Sequence, residues 1–199
     1  SASLLTSALV ALCVLDGGDH QFTLLRLTDT LTISFRLDGP GRVFAGLVGF
    51  LWPLASLYAI EYMRREGGEN AFFGFYLLAY GVTLGVAFSE DMMTMYIFYE
   101  LLSLATLPLV MHGLAARSVH AGRKYAYYCL GGAAMGFLAL VTVIHYSHSS
   151  NFVYGGVAAM RAAPPEVVLP MLVLGFLGFG VKAAVLPLGG WLPTASVAP

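Results

Sequence analysis

The sequence predicts an all-α membrane protein: a polytopic bundle of about six spanning helices, carrying one small extramembrane β-hairpin near residues 20–37. Three observations predict it. Of 199 residues, 58% are hydrophobic and only 11% are charged, whereas a soluble domain is about 25% charged. Mean hydropathy is +0.78. Apolar runs close to the roughly 20 residues that a helix needs to cross a bilayer core recur along the chain.

Taken in order, residues 1–15 hold a short apolar helix. Residues 16–42 form an extramembrane segment that contains "HQFTLLRLTDTLTISFRLDGPG", in which two β-rich stretches flank Thr28, Asp29 and Thr30 as the strands of a hairpin. Residues 43–111 contain three spanning helices, with apolar runs at 43–60, 71–88 and 92–111. Residues 112–124 read as a basic cytoplasmic loop, 125–146 as a further span and 147–166 as a loop. Residues 167–199 read as a broken spanning helix, apolar over 167–188, that carries Lys182 and a Trp191-Leu192-Pro193 turn. "MRREGGEN" and "HGLAARSVHAGRK" fall on one side of the membrane and "SHSSNFVYGGVAAMRAAPPE" on the other. Arg64, Arg65, Arg117, Arg123 and Lys124 on the first side outnumber Arg26, Arg36, Arg42 and Arg161 on the second, which leans that first side toward the cytoplasm. With no initiator methionine, no charged n-region and a Pro-rich end, the chain reads as a piece of a longer protein.

Composition also excludes. A net charge of −1 gives no electrostatic footprint for nucleic acid. Cys13 and Cys129 stand alone in apolar runs, with no CxxC and no metal-spaced Cys/His set. They read as small packing residues, and the chain is expected to hold no cofactor or redox centre of its own.

Two charges break the apolar pattern. Glu100 stands in "IFYELLSLATLP", about nine residues into its run and so near the bilayer centre. Tyr96 and Ser103 share its helix face at i−4 and i+3. Such a stripe must face a bundle interior or a hydrated cavity, because lipid offers the charge no partner. Pro108 removes the amide that would otherwise meet the Leu104 carbonyl. Lys182 stands in "GFGVKAAVLP", with Gly175 and Gly178 on its face, where small residues let another helix approach closely. Pro187 frees the Ala183 carbonyl beside it, and a lysine at a broken helix resembles a transporter site.

A charge at the centre of a spanning helix costs about 2.5–3.5 kcal/mol. A Glu100–Lys182 pair at about 4 Å, at an effective dielectric near 20, returns roughly 4 kcal/mol. Such a pair titrates as a unit, and moving the carboxylate away releases the lysine's proton. A buried pair also serves simply to fix helix register, and the residues alone leave both readings open. His145 and His148, flanking Tyr146, read as an interfacial cluster because no third metal ligand follows at suitable spacing. His112 and His120 fall within the basic loop, and Glu61, in "YAIEYMRR", at a helix end.

Together "DMMTMYIFYELLSLATLPLVMHG", "AGRKYAYYCLGG", "FRLDGPG…SLYAIEYM" and "GFGVKAAVLPLGGWLPTASVAP" resemble the antiporter-like subunits of respiratory complex I, of multisubunit Mrp-type Na⁺/H⁺ antiporters and of membrane-bound hydrogenases. The resemblance covers nearly the whole chain, and the "YELLSLATLPLV" form looks closer to the Mrp D or complex I M-type subunit than to the L-type. It implies a longer bundle of two inverted repeats, of which this chain holds roughly the second to the seventh helix. It also implies proton translocation, with Glu100 matching the family's fifth-helix glutamate and Lys182 its seventh-helix lysine. The lysine passes protons, the glutamate modulates its affinity, and further channel residues lie beyond Pro199. Sister membrane subunits, protons, possible Na⁺, the lipid bilayer and a prokaryotic inner membrane follow as expectations. So does a place in a larger oxidoreductase or antiporter complex, against the alternatives of a structural scaffold and of Na⁺/H⁺ exchange. Many relatives read PLHxWLP, whereas Gly189 stands here at the histidine's position.

Overall fold

The computed structural model describes residues 2–16, 18–28, 31–113, 116–153, 155–156, 158–161 and 163–196. The elements run α1 (Ala2–Asp16), β1 (Gln21–Arg26), β2 (Thr32–Arg36), α2 (Gly39–Glu66), α3 (Glu69–Ala87), α4 (Met92–Val110), α5 (Ala116–Ser147), one 3-10 turn (Ala158–Arg161), α6 (Pro165–Gly180) and a single-turn α7 (Leu192–Ala195). Helices α2 to α5 are long and apolar enough to cross a membrane, while α1 and α6 are shorter apolar helices. The all-α membrane bundle with one hairpin is therefore present, with four helices of full spanning length among the described residues.

Two boundaries differ from the sequence reading. Residues 116–124 were expected as loop, but α5 already begins at Ala116, so Arg117, His120, Arg123 and Lys124 lie on its first turns. No proline interrupts that stretch, and a polar surface does not prevent a helix that is continuous with a buried one. At the other end the apolar run 167–188 is not one helix: α6 stops at Gly180, ahead of Lys182.

The hairpin falls where the two β-rich stretches placed it, with Gln21 opposite Arg36 and Arg26 opposite Thr32 in antiparallel register. Its Asp29–Thr30 tip lies outside the described residues. The hairpin docks on the connection into α4, with the Arg36 amide donating to the Phe88 carbonyl (2.7 Å) and the Glu90 amide to the Ser34 carbonyl (3.1 Å). On the far side of that connection the Met92 amide donates to the Ser150 carbonyl (2.8 Å). At the opposite end of the bundle His112 Nε2 lies 3.0 Å from the Gly67 carbonyl, joining the α2–α3 and α4–α5 connections. The loops thus sort to two ends as the helix count requires.

Asp38 caps α2 by accepting from the Gly41 amide (2.7 Å), with Pro40 in the first turn where a missing amide is harmless. Two apolar cores result. One joins α1, α2 and α3 through Val10, Ala45, Tyr80 and Leu84. There the Tyr80 ring stacks on Trp52 at 4.9 Å, and the Tyr80 hydroxyl lies 2.8 Å from the Ser7 hydroxyl. The other joins α5 to the chain after α6 through Tyr125, Cys129, Val181 and Trp191. Cys129 is buried, as a packing residue should be, whereas Cys13 is exposed, because α1 buries only Ser3 and Val10.

Helices α5 and α6 meet along a seam of small residues. A Cβ on Gly178 would lie 2.5 Å from the Gly136 amide nitrogen and 2.7 Å from the Gly132 carbonyl oxygen. A Cβ on Gly175 would lie 2.9 Å from that of Ala139. The backbones touch, so α6 is held at a fixed height against α5.

Candidate functional site

Helix α6 ends because the chain beyond it cannot continue the ladder. The Val185 amide reaches back to the Gly180 carbonyl (3.1 Å), and Ala184 adopts a left-handed conformation at φ 52°. Pro187 has no amide to offer. The chain turns instead, and Trp191 fastens the turn, its indole N–H donating to the Val181 carbonyl (2.9 Å) and its ring meeting Tyr125 edge-on at 5.1 Å. Gly189 belongs to the same closure, since a Cβ there would come within 2.6 Å of the Ala184 carbonyl oxygen. Gly189 is thus the residue that lets the returning chain lie against Ala184.

Lys182 projects from this turn rather than from a helix. Its ammonium donates to the Tyr125 hydroxyl on α5. It also lies 4.8 Å from the Tyr125 ring centroid and 5.9 Å from that of Tyr99 on α4, within reach of both ring faces. Tyr125 is only 3% exposed, and its hydroxyl lies 2.5 Å from that of Thr106. The Thr106 hydroxyl donates to the Leu102 carbonyl of its own helix (2.6 Å). Read as one directed chain, the lysine donates to tyrosine, tyrosine to threonine and threonine to the α4 backbone. Tyr99 completes the wall by donating to the Gly178 carbonyl (2.9 Å), which ties α4 to the glycine seam.

Glu100 lies in the middle of α4, half-buried, and one carboxylate oxygen, Oε1, is buried with no hydrogen-bond partner. The ion pairs among the described residues are His20–Asp16, Arg36–Asp19 and Arg64–Glu61. The expected contact pair of Glu100 with Lys182 is not among them. The physical reason lies in the chain break, which presents the ammonium to Tyr125.

The other sequence candidates are placed as follows. The Tyr96 hydroxyl donates to the Ala133 carbonyl on α5 (3.4 Å), and the Ser103 hydroxyl donates to the Tyr99 carbonyl of its own helix (3.3 Å). Both hydroxyls thus have backbone acceptors. Pro108 falls in the last turn of α4, which runs on to Val110. Gly175 and Gly178 form the seam, and Pro187 stands in the turn after Lys182. His145 packs edge-on against Tyr146, and among the described residues no group of three or more His, Cys, Asp or Glu is placed to hold a metal. His112 packs against Phe72, and Glu61 pairs with Arg64 at 3.4 Å on an exposed face.

Sequence reasoning missed Tyr125, Tyr99 and Thr106. It saw Tyr125 only as the start of an apolar run, and the "KYAYYC" cluster of hydroxyls beside the basic turn was the available signal. It also missed Asp91, whose "DMMT" spacing is that of a helix N-cap.

The NADH:quinone oxidoreductase/Mrp antiporter transmembrane family matches residues 89–199, which include α4 to α7 and every residue of this site. The chain is 31% identical over 176 residues to a Na(+)/H(+) antiporter subunit of Alkalihalophilus pseudofirmus, covering 85% of this chain and 22% of that protein. It is 32% identical over 155 residues to NADH-quinone oxidoreductase subunit N of Desulforudis audaxviator, covering 75% of this chain and 30% of that protein. It therefore spans less than a third of either relative's length. Among solved structures, a chain of the Mrp complex from Dietzia sp. DQ12-45-1b superposes with a TM-score of 0.87 at 17% identity, over 99% of this chain and 22% of that one, which establishes a shared fold. The chain belongs to the NADH:quinone oxidoreductase/Mrp antiporter family of membrane-spanning subunits.

Proposed function

We propose that this chain is a proton-translocating subunit of a larger membrane complex, and that Lys182 and Glu100 carry and tune the proton. The observation that supports the reading best is the setting of Lys182. A lysine is held at a helix break, deep in the bundle, by a tyrosine hydroxyl and two ring faces, while an incompletely partnered carboxylate stands on the neighbouring helix. An intramembrane ionisable residue of this kind is expensive to keep and is retained for transport. The relatives, one named for Na⁺/H⁺ antiport and one for NADH-quinone oxidoreduction, agree with a transport part shared between complexes that are driven differently. In this reading the chain holds no cofactor, its neighbours are sister membrane subunits, and it resides in a prokaryotic cell membrane.

The test is proton flux in vesicles that contain the assembled complex. Lys182→Ala and Glu100→Ala should each lower it more than tenfold while subunit content is preserved, a loss of at least about 1.4 kcal/mol on the transport barrier. Near-normal flux in either variant removes the reading. A structural scaffold makes the opposite prediction, that Glu100→Gln combined with Lys182→Met leaves flux intact. The antiporter name of one relative supports a second reading, cation exchange, which predicts that an imposed Na⁺ gradient drives proton movement and that Lys182→Ala stops it.

A further inference from the structure

The ammonium of Lys182 has one neighbour that accepts its hydrogen bond and another that carries the opposite charge, and they are different residues. The acceptor is Tyr125, and its hydroxyl has little freedom. Its ring is clamped by Trp191, itself bonded to Val181. Its oxygen is fixed by Thr106, whose own proton goes to the Leu102 carbonyl. With that acceptor occupied, the Tyr125 hydroxyl donates forward to Thr106 and keeps its lone pairs toward the lysine. The oppositely charged group is Glu100, with a buried oxygen that nothing donates to. A buried acceptor without a donor is costly, more so when it is charged. Thr106 lies six residues beyond Glu100 on α4, about 9 Å further along the axis. The two acceptors thus stand at different depths.

The groups facing the ammonium are Tyr99 and Glu100 from α4 and Tyr125 and Cys129 from α5, with Trp191 behind the Tyr125 ring. Glu100 is the only acidic side chain among them. A side chain with a flexible four-carbon stem, hinged on a turn rather than a helix, can reorient without moving a helix.

We propose that Tyr125, braced by Thr106, is a positioning residue that holds Lys182 off Glu100 and gives the lysine two alternative partners, the tyrosine hydroxyl and the carboxylate. This rests on the proton-carrying role given to Lys182 above and adds what separates the pair in the state described here. Opening the ion pair then requires no new cavity, only transfer of the ammonium to a prepared acceptor. Tyr125 takes no net proton in this step; it accepts a hydrogen bond and returns it.

The experiment uses the assembled complex in vesicles, with Tyr125→Phe, which keeps the ring against Trp191 and removes only the oxygen. Proton flux should fall roughly tenfold, about what one hydrogen bond to a charged group contributes. In a structure of the variant complex, the Lys182 nitrogen should stand within ion-pair distance of Glu100. Thr106→Val leaves the tyrosine hydroxyl in place but unbraced, and should lower flux by a smaller factor, about two- to threefold. If Tyr125→Phe fails to assemble, Thr106→Val decides on flux and lysine position alike. A lysine that stays beside ring 125 in Tyr125→Phe, or wild-type flux in the variant that assembles, overturns the proposal. A merely structural tyrosine would lower assembly or melting temperature and leave the lysine where it is. If Lys182→Ala itself transports normally, the functional reading falls first. If Lys182→Ala is inactive while Tyr125→Phe is unimpaired, only the positioning role is lost.

Discussion

Helix α4 carries one carboxyl group at its head and another at its middle, and they are treated in opposite ways. Asp91 is 0% exposed, yet every direction around it is filled. Its Oδ1 accepts from the Thr94 amide (2.9 Å) and the Ser150 hydroxyl (3.2 Å), and its Oδ2 accepts from the hydroxyls of Thr94 (2.7 Å) and Ser34 (3.0 Å). Those donors come from α4 itself, from the hairpin and from the chain after α5, so one side chain rivets three segments. Glu100 is more exposed, yet one of its oxygens is buried without a donor. A fully satisfied buried carboxylate has nothing to gain by moving and serves architecture. An unsatisfied one lowers its energy when a donor arrives, which is what a group that responds to a moving charge requires. What separates the two acids on this helix is therefore not burial but incomplete satisfaction, and that is the property the proposed role of Glu100 draws on.

Exchanging the two carboxyls one at a time gives the largest contrast. Asp91→Ala removes an N-cap, takes the acceptor from the Ser34 and Ser150 hydroxyls and leaves the Thr94 hydroxyl only the Thr32 carbonyl at 3.4 Å, so stability should fall by about 3 kcal/mol or more. In detergent the melting temperature should drop and the hairpin should become accessible to protease. Glu100→Gln strands nothing that was bonded through Oε1, so its melting temperature should stay within a few degrees of wild type while proton flux is lost. If the two substitutions destabilised equally, the division of roles along α4 would be wrong.

Much of this architecture was legible in the chain. The hairpin followed from the β-rich stretches on either side of Thr28-Asp29-Thr30, and helices α2 to α4 followed from their apolar runs. The start of α5 was not legible, because Arg117 to Lys124 are polar and a solvated loop and a solvated helical turn have the same composition. Glu100 and Lys182 stood out because charge is rare in an apolar run, but their relation did not. Sequence placed Glu100 in a spanning helix and Lys182 in one broken at Pro187, and let them pair, whereas α6 already ends at Gly180 and Lys182 turns toward Tyr125. Which acceptor a long side chain reaches depends on a few residues of turn geometry. No periodicity encodes that.

A smaller effect should come from the seam that sets the height of that turn. Gly178→Ala puts a methyl against the Gly136 amide and the Gly132 carbonyl, both of them backbone, so neither can rotate away. Helices α5 and α6 must separate, at a cost of about 1–3 kcal/mol. The Tyr99 hydroxyl, which donates to the Gly178 carbonyl, moves with them. A modest loss of thermal stability with a larger loss of flux is expected, because the displaced turn carries Lys182. Gly74, whose Cβ would meet nothing, is the control: Gly74→Ala should change neither.

The smallest effect belongs to a third carboxyl that is neither riveted nor unsatisfied. Asp19 lies at the surface by the hairpin and accepts from the Arg36 guanidinium through both oxygens, at 3.0 and 2.7 Å. The Arg36 hydrogen bonds, then the charges of Arg36, Arg42 and His20, hold its pKa below the usual carboxylate value. A depressed folded-state pKa contributes stability that is complete above the unfolded value and disappears as pH falls through the folded one. The difference in melting temperature between wild type and Asp19→Asn should therefore be present at about pH 6 and shrink as pH falls below about 4. Both partners are open to solvent, so the difference should also shrink when salt is raised, as surface pairs do. Repeating the scan with Asp91→Asn, which strands bonded hydroxyls, should give a loss insensitive to salt. A salt-sensitive loss at Asp91 would mean that its four short contacts act mainly through charge rather than through hydrogen bonding.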